Sequence, residues 1–101
     1  LVVRKDVYQE VGGLNERDLT VAYNDVDFCL RVRAAGYSNV WTPFAELYHL
    51  ESLSRGSDRS AEKARRYENE VAYMHRHWDL RSDPYYSVHL TRLREDFSIA
   101  V

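Results

Sequence analysis

Apolar residues recur at helical spacing in three stretches of the chain and alternate with polar ones in two others. Val7, Tyr8 and Val11 predict a short helix over 4–11. Gly12-Gly13 ends it, because glycine reaches positive φ at little steric cost. Val26, Cys29 and Leu30, widened by Phe28, Val32 and Ala35, form one face of a helix over 24–35 that Gly36 stops. Asn24 or Asp25 is the expected cap. Ala64, Tyr67, Val71, Met74 and Trp78 fall at 3-then-4 spacing and predict a long amphipathic helix from Ser60 to about Trp78. Leu1-Val2-Val3 read as strand. Residues 37–42 alternate and are closed by Pro43; 45–50 alternate again, with Leu47 and His49 on one face and Glu46 and Tyr48 on the other. The hydrophilic run 51–60 predicts a mobile surface loop. Asp83-Pro84 breaks the chain, and the tail to residue 101 has no clear period. The pattern predicts an α/β fold with helices packed on a small sheet. It divides into 1–50, a loop at 51–60, and a helix with an irregular tail at 61–101.

Composition narrows the function. The 101 residues, 45% of them hydrophobic, suffice for one domain. A chain of this size buries only about 60–65% of its unfolded surface, which gives a partner or a further segment something to cover. The net charge of −2 supplies no basic excess to displace phosphate counterions, so no nucleic-acid partner is expected. Cys29 is the single cysteine, which excludes an internal disulfide and a cysteine-based zinc site. No apolar run approaches the roughly 20 residues that span a bilayer, and a cytoplasmic setting is the default expectation. The opening on Leu1, without Met and directly in strand-like sequence, is expected of a piece of a larger enzyme.

Candidate chemistry lies in the first half. A carboxylate at a helix N-terminus faces the positive end of the macrodipole, and Asp25, held there and open to a cleft, can take a proton from a hydroxyl. A plain helix cap is the commoner use of such a residue. Asp27 lies about 200° further round the helix, so the two acids do not aim at one atom; Asp27 can instead accept from a neighbouring N–H or arginine. Gly12 and Gly13 either let backbone N–H groups approach a phosphate or sugar, or cap a helix. His49 is either a ligand for a divalent metal through neutral imidazole or a hydrogen-bonded structural histidine. His75 and His77, two apart on a helix, face different ways and read as structural.

Four blocks in order carry a resemblance: 4–16 (Arg-Lys-Asp-Val-Tyr-Gln-Glu-Val-Gly-Gly-Leu-Asn-Glu), 24–31 (Asn-Asp-Val-Asp-Phe-Cys-Leu-Arg), 35–37 (Ala-Gly-Tyr) and 43–49 (Pro-Phe-Ala-Glu-Leu-Tyr-His). Together they resemble the C-terminal half of a family 2 glycosyltransferase of the GT-A fold. The resemblance implies an inverting transfer from a nucleotide sugar to a hydroxyl of a carbohydrate or lipid-linked acceptor, in surface polysaccharide synthesis. It implies Asp25 as catalytic base, and Gly12, Gly13, Asn24 and Asp27 near substrate. It places His49 at a Mg²⁺ or Mn²⁺ ion or the diphosphate, and Arg55, on a loop that folds over the donor, at the diphosphate.

Two departures from the family pattern stand out. Asn24 occupies a position where the family usually has Glu. The nucleotide-binding half, with its Asp-x-Asp metal motif, would precede Leu1, and Asp25-Val26-Asp27 matches that spelling by accident because it opens a helix. The 101 residues alone are therefore expected to be inactive, and the whole enzyme to work in the cytoplasm or at the inner face of the membrane. The alternative is a non-catalytic α/β interaction module that forms a homo-oligomer through the 61–78 helix, whose stripe also suits a dimer seam.

Overall fold

The computed structural model describes residues 1–50 and 61–100. They form three helices: α1 at Lys5–Glu10, α2 at Asn24–Ala34 and α3 at Ala61–His77. All three lie within a residue or two of the stretches expected from periodicity. The predicted loop at 51–60, with Arg55, lies outside the described residues.

The α/β expectation is corrected. Among the described residues there is no strand, and the sole β-type pairing is an isolated antiparallel bridge between Leu90 and Ile99. Residues 1–3, 37–42 and 45–50 lie outside any ladder. Alternation fixes which face each side chain takes, but a strand exists only when a neighbour accepts and donates its backbone hydrogen bonds. Among the described residues no such neighbour lies beside these segments. Most of their apolar side chains are in solvent, with Phe44 96% and Tyr48 99% exposed, whereas Tyr37 packs against the core.

Glycine stops two of the helices in the same way. After α1, the Gly13 N–H donates to the Tyr8 carbonyl at 2.9 Å and the Gly12 N–H to that of Gln9 at 3.2 Å. After α2, the Tyr37 N–H donates to the Val32 carbonyl at 3.2 Å and the Gly36 N–H to that of Arg33 at 3.0 Å. Both are Schellman closures, which satisfy otherwise orphaned carbonyls and need positive φ at the glycine. Gly12 has φ +86° and Gly36 φ +98°. Gly13, at φ +71°, is further constrained: a Cβ there would sit 3.0 Å from the tip of the Tyr8 ring. Gly13→Ala should therefore cost about 2 kcal/mol, from left-handed backbone strain plus displacement of that ring. Gly12→Ala meets open space and should cost less. Thermal unfolding of the two variants checks the order.

The core sits where α1 crosses α2. Val7, Phe28 and Val32 are buried together, with Val11, Cys29 and Tyr37 packed against them. The Tyr8 and Phe28 rings meet at 5.5 Å. Leu19 and Met74 are also buried. On α3 the apolar stripe is buried only toward its C-terminal end: Met74 is buried and Val71 and Trp78 are half-buried, whereas Ala64 and Tyr67 are exposed. A charged residue, Glu70, is buried on the same side.

A buried polar network ties the helices together. Asp27, 2% exposed, accepts from Arg31 Nε at 2.9 Å on one oxygen and from Trp78 Nε1 at 2.8 Å on the other. Arg31 Nη1 in turn donates to the Val11 carbonyl at 2.7 Å. The end of α1, the first turns of α2 and the residue after α3 are thus joined through the Asp27 carboxylate and the Arg31 guanidinium. The C-terminal segment folds back beside α2, where Arg33 lies over the Tyr85 ring at 5.2 Å.

Candidate functional site

The start of α2 carries three of the expected site residues, Asn24, Asp25 and Asp27. Asn24 and Asp25 were the expected caps; the structure assigns the N-cap position to Tyr23, with no side-chain hydrogen bond in that role. Tyr23 takes the left-handed conformation, φ 62° and ψ 9°. That conformation costs a residue with a Cβ about 1–2 kcal/mol, so something must hold it.

The holding contacts come from α3 and from the loop that follows the glycine pair. The Tyr23 and Tyr67 hydroxyls lie 2.8 Å apart, and their rings 5.9 Å. This hydrogen bond, with partial burial added, pushes the Tyr23 phenol up to about 12. Glu70 accepts from the Ala22 N–H on one oxygen and from the Thr20 hydroxyl, at 3.3 Å, on the other. Tyr73 receives a hydrogen bond from Asn15 Nδ2 at 2.9 Å. Residues 67, 70 and 73 repeat every three positions and so share one side of α3.

Asn24 is turned inward. Its amide nitrogen donates to the Leu19 carbonyl at 2.8 Å and the Asn15 carbonyl at 3.2 Å, and its oxygen accepts from the Asn15 N–H at 2.9 Å. The loop 15–19 is fastened to α2 by an amide that donates and accepts at once. An ionised glutamate has only acceptors and could not serve two carbonyls in this way. Asparagine at position 24 thus has a structural use of its own.

Asp25, by contrast, is exposed, and its Oδ1 accepts from the Val26 N–H at 2.9 Å. Its negative charge reaches Cys29, one helical turn on; burial pushes that thiol's pKa up, and Asp25 adds to the rise. Val26 and Cys29 also border a cleft of about 810 Å³ between α2 and the C-terminal segment. Leu30, Tyr85 and Phe97 give it apolar walls, and Arg33 and Arg94 line it as well.

The other expected residues separate from Asp25. Asp27 is buried with both oxygens engaged. Gly12 and Gly13 give their N–H groups to α1, as a helix cap does, while Asn15 just beyond them reaches Asn24. His49 lies in an exposed, irregular segment. Among the described residues no three His, Cys, Asp or Glu side chains converge on a point that could hold a metal ion. These residues do not by themselves fit the expected Mg²⁺ or Mn²⁺. Among the described residues no helix is long and apolar enough to cross a membrane. His77 stacks on Tyr73 at 4.0 Å and meets its carbonyl at 3.0 Å, a structural role.

Sequence comparison adds two relatives. The chain is 52% identical over 102 residues to an uncharacterized protein, y4gI, of Sinorhizobium fredii; the match takes in 99% of the chain and 11% of that protein. It is 31% identical over 74 residues, 73% of its length, to the N-acetylglucosaminyl-diphospho-decaprenol L-rhamnosyltransferase of Mycobacterium tuberculosis, of which it covers 24%. The chain therefore spans about a tenth and about a quarter of the curated relatives it matches. The likeness to a glycosyltransferase is distant and partial. No family model matches the chain. No solved structure matches it either.

Proposed function

We propose that this chain supplies the acceptor-activating base of an inverting sugar transfer from a nucleotide sugar. The observation that carries the reading is the solvent-open carboxylate of Asp25 on a turn fastened from both sides. The partial similarity to a rhamnosyltransferase supports it. In this mechanism Asp25 takes the proton of the acceptor hydroxyl as that oxygen attacks the anomeric carbon. The bond from the anomeric carbon to the nucleoside diphosphate breaks, its electron pair leaves with the diphosphate, and the configuration at carbon inverts.

Asn24, Asp27 and the Gly12-Gly13 turn act on this reading by shaping the ground under Asp25. The cleft beside Val26 offers the acceptor an apolar wall with arginines at hand. That suits a lipid-linked saccharide of the kind named for the mycobacterial relative, and surface polysaccharide is the product class such acceptors lead to. Donor binding and any metal fall to groups other than those described.

The test uses the purified protein at its natural length, offered UDP-, GDP- and dTDP-sugars with a lipid-diphosphate saccharide. Release of nucleoside diphosphate with an inverted anomeric centre in the product, read by NMR, is the expected result. Retention of configuration, or no release with any donor, would overturn the reading.

A further inference from the structure

The contacts that hold the turn before α2 reach it from α3, a helix about 45–50 residues further along the chain. We propose that Glu70 is a positioning residue: from α3 it fixes the 20–25 turn and so the direction in which Asp25 presents its carboxylate. The inference rests on the reading of Asp25 as the base.

Glu70 is 2% exposed, and a carboxylate so placed is stable only if its oxygens are met by donors. They are met by the Ala22 N–H, the Thr20 hydroxyl and, at 3.7 Å, the Arg66 guanidinium. Two of these partners belong to the turn itself. Between them and Asp25 stands Tyr23, in a backbone conformation that tyrosine rarely adopts and that its hydroxyl bond to Tyr67 helps to keep. A strained residue persists only where its surroundings over-determine it, and such residues gather where a reacting group must be pre-aimed. Glu70 provides that determination on the upstream side of Tyr23. Asn24, fastened to the 15–19 loop, provides it downstream. Released from Glu70, Tyr23 would relax toward negative φ and rotate the first turn of α2, carrying Asp25 with it. Misplacement of a catalytic group by an ångström costs on the order of 100-fold in rate.

Glu70→Ala, Glu70→Gln and Tyr67→Phe are to be compared in the natural-length protein with the donor that the panel above identifies. Glu70→Ala should lower kcat per folded molecule by about 10–100-fold with the donor KM within about twofold. Gln retains a carbonyl for the Ala22 N–H and an amide for the Thr20 hydroxyl, so Glu70→Gln should recover most of the rate. Tyr67→Phe keeps the ring and tests the same clamp at an exposed position, should Glu70→Ala fail to fold; a kcat loss of about 3–10-fold is expected. A Glu70→Ala protein that melts earlier yet turns over normally per folded molecule overturns the proposal, as does a Tyr67→Phe protein of normal kcat where Glu70→Ala is unfolded.

Amide hydrogen exchange without substrate gives a readout independent of activity. The Ala22 amide, which donates to Glu70, and the Asp27 amide, which donates to the Tyr23 carbonyl at 2.9 Å, should exchange about 10–100-fold faster in Glu70→Ala and return toward the parent rate in Glu70→Gln. Unchanged exchange sinks the clamp whatever Asp25 does. Full turnover by Asp25→Asn sinks the base reading and leaves the exchange result to stand alone.

Discussion

Asp25→Asn should lower turnover by about 10³-fold while leaving donor affinity within about twofold and the fold intact. General-base catalysis contributes roughly 10²–10⁴-fold, and an amide cannot take up the hydroxyl proton in the range where a carboxylate does. The fold should survive because Asp25 is exposed and because Asn keeps an oxygen for the Val26 N–H, the contact that Asp25 Oδ1 makes at 2.9 Å. Substrate should still bind, since what is lost is an interaction realised as the hydroxyl gives up its proton. A loss in kcat equal to the loss in kcat/KM is the signature of such a group. Steady-state kinetics with titration calorimetry of the donor measures both quantities. Turnover within a few-fold of the parent would take Asp25 out of the chemistry. A large rise in donor KM at unchanged kcat would instead make it a binding group.

The same residue shows how far the sequence alone can be read. The three helices were legible because the evidence for each is local. Apolar residues three and four apart mark a face, and for α1 and α2 a glycine just beyond marks the stop; Gly12-Gly13 and Gly36 close their helices through backbone bonds that span only a few residues. Alternation suggests strands that the described residues do not form, because alternation is local too, whereas the ladder that makes a strand is not. Asp25 at the mouth of α2 was visible from its place before Val26 and Phe28. The way it is held was not. Nothing near Tyr23 marks it for a left-handed backbone, and the residues that keep it there, Tyr67 and Glu70, lie more than 40 positions away. A signal for Glu70 exists: of the two acids between Tyr67 and Met74 it is the one three residues after Tyr67 and four before Met74, on the side of α3 that periodicity assigns to the core. A charge on such a face has to be partnered, and the candidate partners are backbone donors of a neighbouring loop. Asp27 was half legible. Arg31, one turn on, is an available donor, but periodicity places Trp78 on the apolar stripe and carries no sign that its indole N–H turns to a carboxylate 51 positions away.

That indole is central to the second large effect. Asp27→Ala should destabilise the protein by about 3 kcal/mol, a large share of the roughly 5–15 kcal/mol that holds a domain of this size together. The carboxylate is buried, and removing it strands two donors: Arg31 Nε, on a guanidinium whose side chain is 25% exposed, and Trp78 Nε1. Arg31 has little in reserve, for Nη1 is bound to the Val11 carbonyl and Nη2 has no hydrogen-bond partner among the described residues. A charge left in that position loses its compensation without regaining full hydration, so breaking the pair costs more than the pair's net worth. Because Arg31 is partly wet, the cost should fall at the low end of the range for fully buried pairs. Trp78→Phe keeps the ring packing, removes one donor, and should cost about 1 kcal/mol. The double variant Asp27→Ala/Trp78→Phe should then be less destabilised than the sum of the singles, since the second change removes a donor that the first had already orphaned. Urea unfolding of the four proteins closes the cycle. Strict additivity would mean that the 2.8 Å contact between indole and carboxylate contributes nothing to holding the end of α3 to α2.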